Sequence, residues 1–291
     1  MLNQGKLPLR KQFVLQAILL MITFTVLFPI MWIVSMSLDP RNIVRPTELT
    51  LIPPGASLDA YRAVMDQPTA NPVSFTRLAF NSLALTCGVA FFALLFSVTA
   101  AYTFSRKDFP GRRFLMIAVL TVLMVPAIAT IAPLFVLLNS VSIGGFNLRN
   151  SLPGVGLAVM AGALPFAIWN LKGYLDTIPK DLEEAAIIDG ASPNQVFIRI
   201  ILPLAVPALA VTFFLVFMSG WTEFAISWQF LSKPQNFTLA MSLWNMTGQY
   251  AGGVPWSHFA AMSVLIALPV AIIYLALQKY IVGGLTIGGV K

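Results

Sequence analysis

Side chains able to carry covalent chemistry are scarce in this chain. It holds one His, His258, and one Cys, Cys87, which leaves no material for a His-cluster metal site, an intrachain disulfide or a His-dependent triad. No GxxxxGK[ST] phosphate loop is present, and Gly154-x-Gly156 lacks the third glycine and the strand context of a dinucleotide fold. A membrane enzyme would need a clustered catalytic set that these residues do not supply. Two polar features stand out against the apolar background. One is Glu223, flanked by Trp221 and Trp228; a carboxylate within a membrane is a candidate for proton coupling. The other is the stretch LEEAAIIDGASPNQVFIRIILP, Leu182 to Pro203, whose composition suits mechanical contact with another protein better than bond-making.

The second feature reads as an elbow. Asp181 stands three residues before Glu184, a spacing at which the two can cap the start of a short helix over 182–189. Leu182, Ala185, Ala186 and Ile188 fall on helical spacing, which predicts a face packed against protein. Gly190 is the expected left-handed stop. Ser192 then suits an N-cap, Pro193 the first helical turn, and Gln195 completes a capping box. Helix, sharp glycine turn and helix make a unit stiff on both sides of its bend. Read from these residues alone, it also fits an ordinary capped hairpin between membrane spans.

The elements around these features are membrane spans. Of 291 residues 58% are hydrophobic and 10% charged, so most of the chain belongs in lipid. Apolar runs predict an all-α integral membrane protein with about six transmembrane helices, near 13–36, 80–104, 114–137, 152–172, 204–228 and 258–279. The first is too long for a cleavable signal peptide and has no small-x-small site after it. With the N-terminus inside, twelve of the 18 Lys and Arg residues fall on inner segments and six on outer ones. That bias predicts a multi-pass protein of a cytoplasmic (inner) prokaryotic membrane, both termini cytoplasmic and the elbow inside. The net charge of +7 then reflects topology and gives no reason to expect nucleic-acid binding. Glu223 lies about 20 residues into its span, roughly 30 Å from the inner side, so a hydrated or hydrogen-bonded carboxylate near the outer mouth is preferred over a mid-membrane relay.

The organisation expected is a cytoplasmic segment 1–12, a transmembrane domain 13–282 and a tail 283–291. Within the domain lie an outer loop 38–77, an inner loop 173–203 and an outer loop 229–257. In the first outer loop, Ser57 to Met65 reads as a short amphipathic helix capped by Ser57 and lying on the membrane surface. Pro126 and Pro133 in the third span and Pro165 in the fourth are expected kink sites.

Glu184-Ala185-Ala186, Gly190 four residues later, then Ile200, Leu202 and Pro203 resemble the EAA loop of ABC-importer permeases. Further motifs narrow the resemblance to the carbohydrate branch, and to the smaller permease of maltose-type transporters. These are Asn81-Ser82-Leu83, Ala101-Tyr102-Thr103-Phe104-Ser105-Arg106, Phe109-Pro110-Gly111-Arg112, Lys172-Gly173-Tyr174 and the run Gly283–Lys291. The resemblance implies a type I ABC importer permease fold and alternating access driven by a separate ATPase dimer, which binds the ATP and Mg. It also implies a second permease as heterodimer partner and an extracytoplasmic solute-binding protein. Carried over residue by residue, ATPase docking falls to Glu183, Glu184, Ala185, Ala186, Asp189, Gly190, Ala191, Ile200, Leu202 and Pro203, with Glu184 and Gly190 transmitting motion. The tail, with Gly284, Leu285, Gly288, Gly289 and Lys291, is expected to run extended into the ATPase dimer. Gln249, Tyr250, Gly252 and Gly253 are expected to form a loop entering the binding protein. No substrate-contacting residue is assignable, and the competing reading is a proton-coupled secondary transporter or channel using Glu223.

Overall fold

A computed structural model describes residues 8–41, 43, 48–247 and 255–289, with the backbone alone for Ile143 and residues 281–289. The chain begins with α1 (Leu9–Ser37), whose apolar side chains are exposed over most of its length and which packs against the last helix, α12 (Trp256–Gly289). Between them lie α2 (Asp59–Asp66), α3 (Phe75–Arg106), α4 (Arg112–Val122), α5 (Ala127–Ser140) and a two-residue hairpin, β1 (Ser142–Ile143) with β2 (Phe146–Asn147). Next come α6 (Leu152–Leu175), α7 (Asp181–Ile188), α8 (Pro193–Leu204), α9 (Val206–Trp221), α10 (Ala225–Phe230) and α11 (Leu239–Asn245).

Among the described residues four helices, α1, α3, α6 and α12, are each long and apolar enough to cross a membrane. Two bent pairs, α4 with α5 and α8 with α9, bring the number to six if each pair is one span. Six runs were expected, but the third and fifth are not single rods. The α4–α5 pair turns by 100° at Pro126, where a missing N–H and the steric demand on the preceding residue end the helix. Pro133 and Pro165 lie inside α5 and α6 without ending them, so of the three expected kink sites only Pro126 breaks its span. The fifth run bends by 73° between α8 and α9 and ends at Trp221, earlier than composition suggested.

The centre of the bundle is the α3–α6 pair, the most extensively packed pair of elements. Both helices bury small residues: Ala90, Ala93, Ser97 and Ala101 on α3, and Ala158, Ala163 and Ala167 on α6. Small side chains let helix backbones approach closely, the usual basis of helix packing in lipid. α9 closes against α3 by the same means, since a Cβ at Gly220 would sit 3.2 Å from Cγ2 of Thr86. At the end of α3 away from the elbow, Asn81 donates to the carbonyls of Gln235 (2.7 Å) and Phe237 (2.9 Å), and Ser82 Oγ accepts from Leu239 N (2.8 Å).

The short helix expected on the membrane surface packs on protein. α2 starts at Asp59, buries Ala60 and Val64 against α3 and α12, and ties Tyr61 Oη to Ser37 Oγ at 2.7 Å. Its amphipathic pattern reflects this protein-facing burial. Gly220→Val is expected to overpack the α3–α9 contact and destabilise the protein by about 1–3 kcal/mol. A thermal melt of detergent-solubilised protein, read as a lower midpoint, checks it.

Candidate functional site

The elbow forms from local rules. α7 begins after Lys180 without a side-chain cap, with Asp181, Glu183 and Glu184 in its first turn. Acidic residues there complement the N-terminal end of the helix dipole, and this replaces the reciprocal Asp181–Glu184 cap expected from spacing. The helix ends in a Schellman motif: Gly190 N–H donates to the Ile187 carbonyl (3.0 Å) and Ala191 N–H to the Ala186 carbonyl (2.9 Å). Gly190 sits at φ +86° as that motif requires. Ser192 then opens α8 with a complete capping box, its N–H donating to Gln195 Oε1 at 2.7 Å and its Oγ accepting from Gln195 N at 3.4 Å.

α8 does not run straight into α9. Residues Phe197–Ile201 form a π-helical turn, closed by Leu202 N–H on the Phe197 carbonyl. Pro203 follows, with no N–H to give to the residue four before it, and the wider turn fits around that gap. The bend at Ala205 comes next.

The elbow is held to the ends of α3 and α6 by a small apolar core. Val98 and Ala101 of α3, Leu171 and Leu175 of α6, and Val196 and Ile201 of α8 are buried together. Tyr102 lays its ring on Phe197 at 4.8 Å between centroids. Beside this core runs a polar chain. Arg106 Nε donates to Glu183 Oε1 in an ion pair whose side chains are only 6% and 11% exposed. Tyr102 Oη donates to Glu183 Oε2 (2.8 Å), and Arg106 Nη2 to the Ile178 carbonyl (2.9 Å). Ser105 Oγ donates to Asp176 Oδ1 (2.7 Å), and Lys172 Nζ pairs with Asp176 Oδ2 (2.6 Å). Burial pushes the Asp176 carboxyl up, but the hydrogen bonds from Lys172 and Ser105, with the Lys172 and Arg106 charges, outweigh it and leave its pKa below the ordinary value. The stability from these ties is therefore present at neutral pH and lost as pH falls through the lowered native value.

This arrangement sorts the residues expected to dock. Glu183 faces inward and is consumed by Arg106 and Tyr102, while Ala186 and Ala191 are half-buried against the same core. Ile200 and Leu202 are half-buried and Pro203 exposed. Glu184, Ala185, Asp189 and Gly190 are exposed together at the tip. The expected apolar face of α7 is rotated: Leu182 and Ile188 point outward with Ile187, and Ile188 is 85% exposed. Anchoring Glu183 turns Ala186, one turn on, inward, and that sends the isoleucines out. The adjacent Ile187-Ile188 pair, hard to place on the packed side of so short a helix, was the sequence signal for this surface.

One other expectation changes. The tail is not extended at its start, because α12 continues helically through Gly283 to Gly289. Helix propagation from a long apolar span outweighs the roughly 1 kcal/mol that each glycine costs in a helix. Lys291 lies outside the described residues, as do Gln249, Tyr250, Gly252 and Gly253. Glu223 lies just beyond α9, at the end of the fifth apolar run, as the preferred reading of a hydrogen-bonded carboxylate has it. Its carboxylate caps α10, accepting from Ile226 N (2.5 Å), Ser227 N (3.2 Å) and Ser227 Oγ (2.7 Å).

Residues 93–286 match the family described as binding-protein-dependent transport system inner membrane component. The chain belongs to this family. It is 32% identical to the maltose/maltodextrin transport system permease protein MalG of Escherichia coli K12, across 99% of this chain and 98% of that protein. It is 33% identical to the trehalose permease protein SugB of Mycobacterium tuberculosis, across 91% and 92% of the two chains. The galactooligosaccharides permease protein GanQ of Bacillus subtilis is also 33% identical, across 91% and 90%. Among solved structures, a chain of a bacterial ABC transporter involved in alginate import superposes with a TM-score of 0.73 at 24% identity, covering 94% of this chain and 97% of that one. The fold is that of an ABC importer permease, a membrane subunit and not an enzyme.

No atom lies within 4 Å of a Cβ built at Gly190, so substitution there costs backbone strain without a clash. Gly190→Val is expected to lose about 1–2 kcal/mol of elbow stability, and Gly190→Asn clearly less. Amide exchange across residues 181–196 checks the order, with faster exchange in the Val variant.

Proposed function

We propose that this chain is one of two permeases in an ATP-driven importer of carbohydrate. Its elbow is the docking element for a separate ATPase dimer, which binds ATP and Mg. The observation that carries this is the tip of α7: Ile187 and Ile188 exposed among Glu184 and Asp189, on a helix braced from behind by a buried ion pair. An exposed apolar knob ringed by acids on a rigid support is the form of a protein contact. Closure of the ATPase dimer would push the elbows of the two permeases together and open the cavity outward. Loaded binding protein would favour the same conformer, since a ligand indifferent to two states shifts neither. In this reading the elbow and both termini are cytoplasmic. Gly284, Leu285, Gly288 and Gly289 carry the end of α12 toward the ATPase, with Lys291 expected to contact it, and Gln249, Tyr250, Gly252 and Gly253 are expected to meet the binding protein.

Relatives named for maltose, trehalose and galactooligosaccharide transport support a carbohydrate cargo. A maltose-like oligosaccharide is the narrower reading, favoured by similarity to MalG over nearly the whole of both chains. The rival proton-coupled mechanism is disfavoured because, among the described residues, the Glu223 carboxylate is held locally by the amides of Ile226 and Ser227 and the Ser227 hydroxyl.

The test is reconstitution with the second permease, ATPase and binding protein. Uptake of a maltodextrin, trehalose and galactooligosaccharide panel is expected to require ATP and to survive an ionophore; uptake driven by a proton gradient without ATP contradicts the proposal. Ile188→Asp is expected to weaken ATPase association about tenfold or more, the scale of a lost apolar contact at an interface centre. Quantitative co-purification measures it.

A further inference from the structure

Covalently, the elbow belongs to α6, which precedes it, and to α9, which follows. It has no chain connection to α3, yet the ion pair ties it there. We infer that Arg106 and Glu183 are positioning residues that clamp the elbow end of α3 to α7, so that a push on the elbow moves three spans together. The inference rests on the ATP-driven reading above.

The geometry is that of a clamp with contacts in several directions. One guanidinium reaches Glu183 through Nε, the Ile178 carbonyl through Nη2 (2.9 Å) and Ser105 Oγ through Nη1 (3.1 Å). Its planar fork fixes these three directions at once, which a lysine could not do. Tyr102, one turn before Arg106, holds the other Glu183 oxygen at 2.8 Å. Ser105 reaches across to Asp176, just past α6. Sliding α3 past the elbow would separate charges that are 6% and 11% exposed and open the apolar core beside them. Two states of such an interface cannot grade into one another, so the clamp either travels whole or breaks. Because α3 is also the main packing partner of α6 and contacts α9, the clamp turns a hinged loop into a lever on the bundle centre. Breaking it would let the elbow respond to ATP while the spans slip.

The test uses the assembled transporter in proteoliposomes, with sugar moved and ATP hydrolysed measured on the same samples. Glu183→Gln complexes are expected to hydrolyse ATP while sugar moved per ATP falls about fivefold or more, the size of an ordinary coupling between sites. Tyr102→Phe, which removes one bond to Glu183, is expected to lie between, and a purely structural brace would lower assembly without moving this ratio. An unchanged ratio in assembled Glu183→Gln complexes overturns the clamp. Should that variant not assemble, spin labels on Lys107→Cys and Asp181→Cys in a Cys87→Ser background decide. The clamp predicts the same separation in nucleotide-free and ATP-trapped states, and a separation that changes between them overturns it. Sugar uptake by the wild-type complex that ignores ATP sinks the importer reading instead, so the two failures are told apart.

Discussion

The elbow depends on one buried ion pair. Removing either Arg106 or Glu183 alone leaves a charge stranded at a site where both partners are almost wholly shielded, which typically costs about 3–5 kcal/mol. The pair as a whole contributes far less net stability, because taking both charges from water offsets most of their attraction. Its effect is on geometry. With Glu183 fixed inward, the rotation of α7 is set, Ala186 must pack, and Ile187 with Ile188 must face out. A single anchored carboxylate thus determines which surface the elbow presents.

The second constraint is the break between α8 and α9. A straight helix from Pro193 to Trp221 would hold α8 in line with α9. The π turn, Pro203 and the 73° bend instead turn α8 off that line. This lets Val196 and Ile201 join the core with Leu171 and Leu175. Stiffness comes from local caps on either side of Gly190, and direction comes from the bend.

Features set by near neighbours in sequence were legible before the structure. The capping box at Ser192 and Gln195, the left-handed Gly190 and the positions of the long apolar spans follow from spacing and side-chain type. What escaped depends on partners far along the chain. Glu183 was legible only as one residue of the docking motif, and its meeting with Arg106, 77 residues away, could not be read from spacing. The amphipathic pattern of α2 was legible, but the packing of its apolar face on α3 and α12 was not. Pro126 ends a helix and Pro133 does not, a distinction that residue type cannot make. Glycines at 283–289 suggested an extended tail, and the preceding span carries the helix through them.

The most direct test of the account is the solvent access of Ile188 when the ATPase is present. With Ile188→Cys in a Cys87→Ser background, inside-out vesicles would be treated with a bulky, membrane-impermeant maleimide, with and without the ATPase subunit. The account predicts rapid labelling without the ATPase, strong protection once it binds, and weak protection when Gly190→Val is added. Equal labelling in both conditions, in vesicles whose sugar transport still consumes ATP, would contradict it and place the ATPase contact elsewhere on the chain.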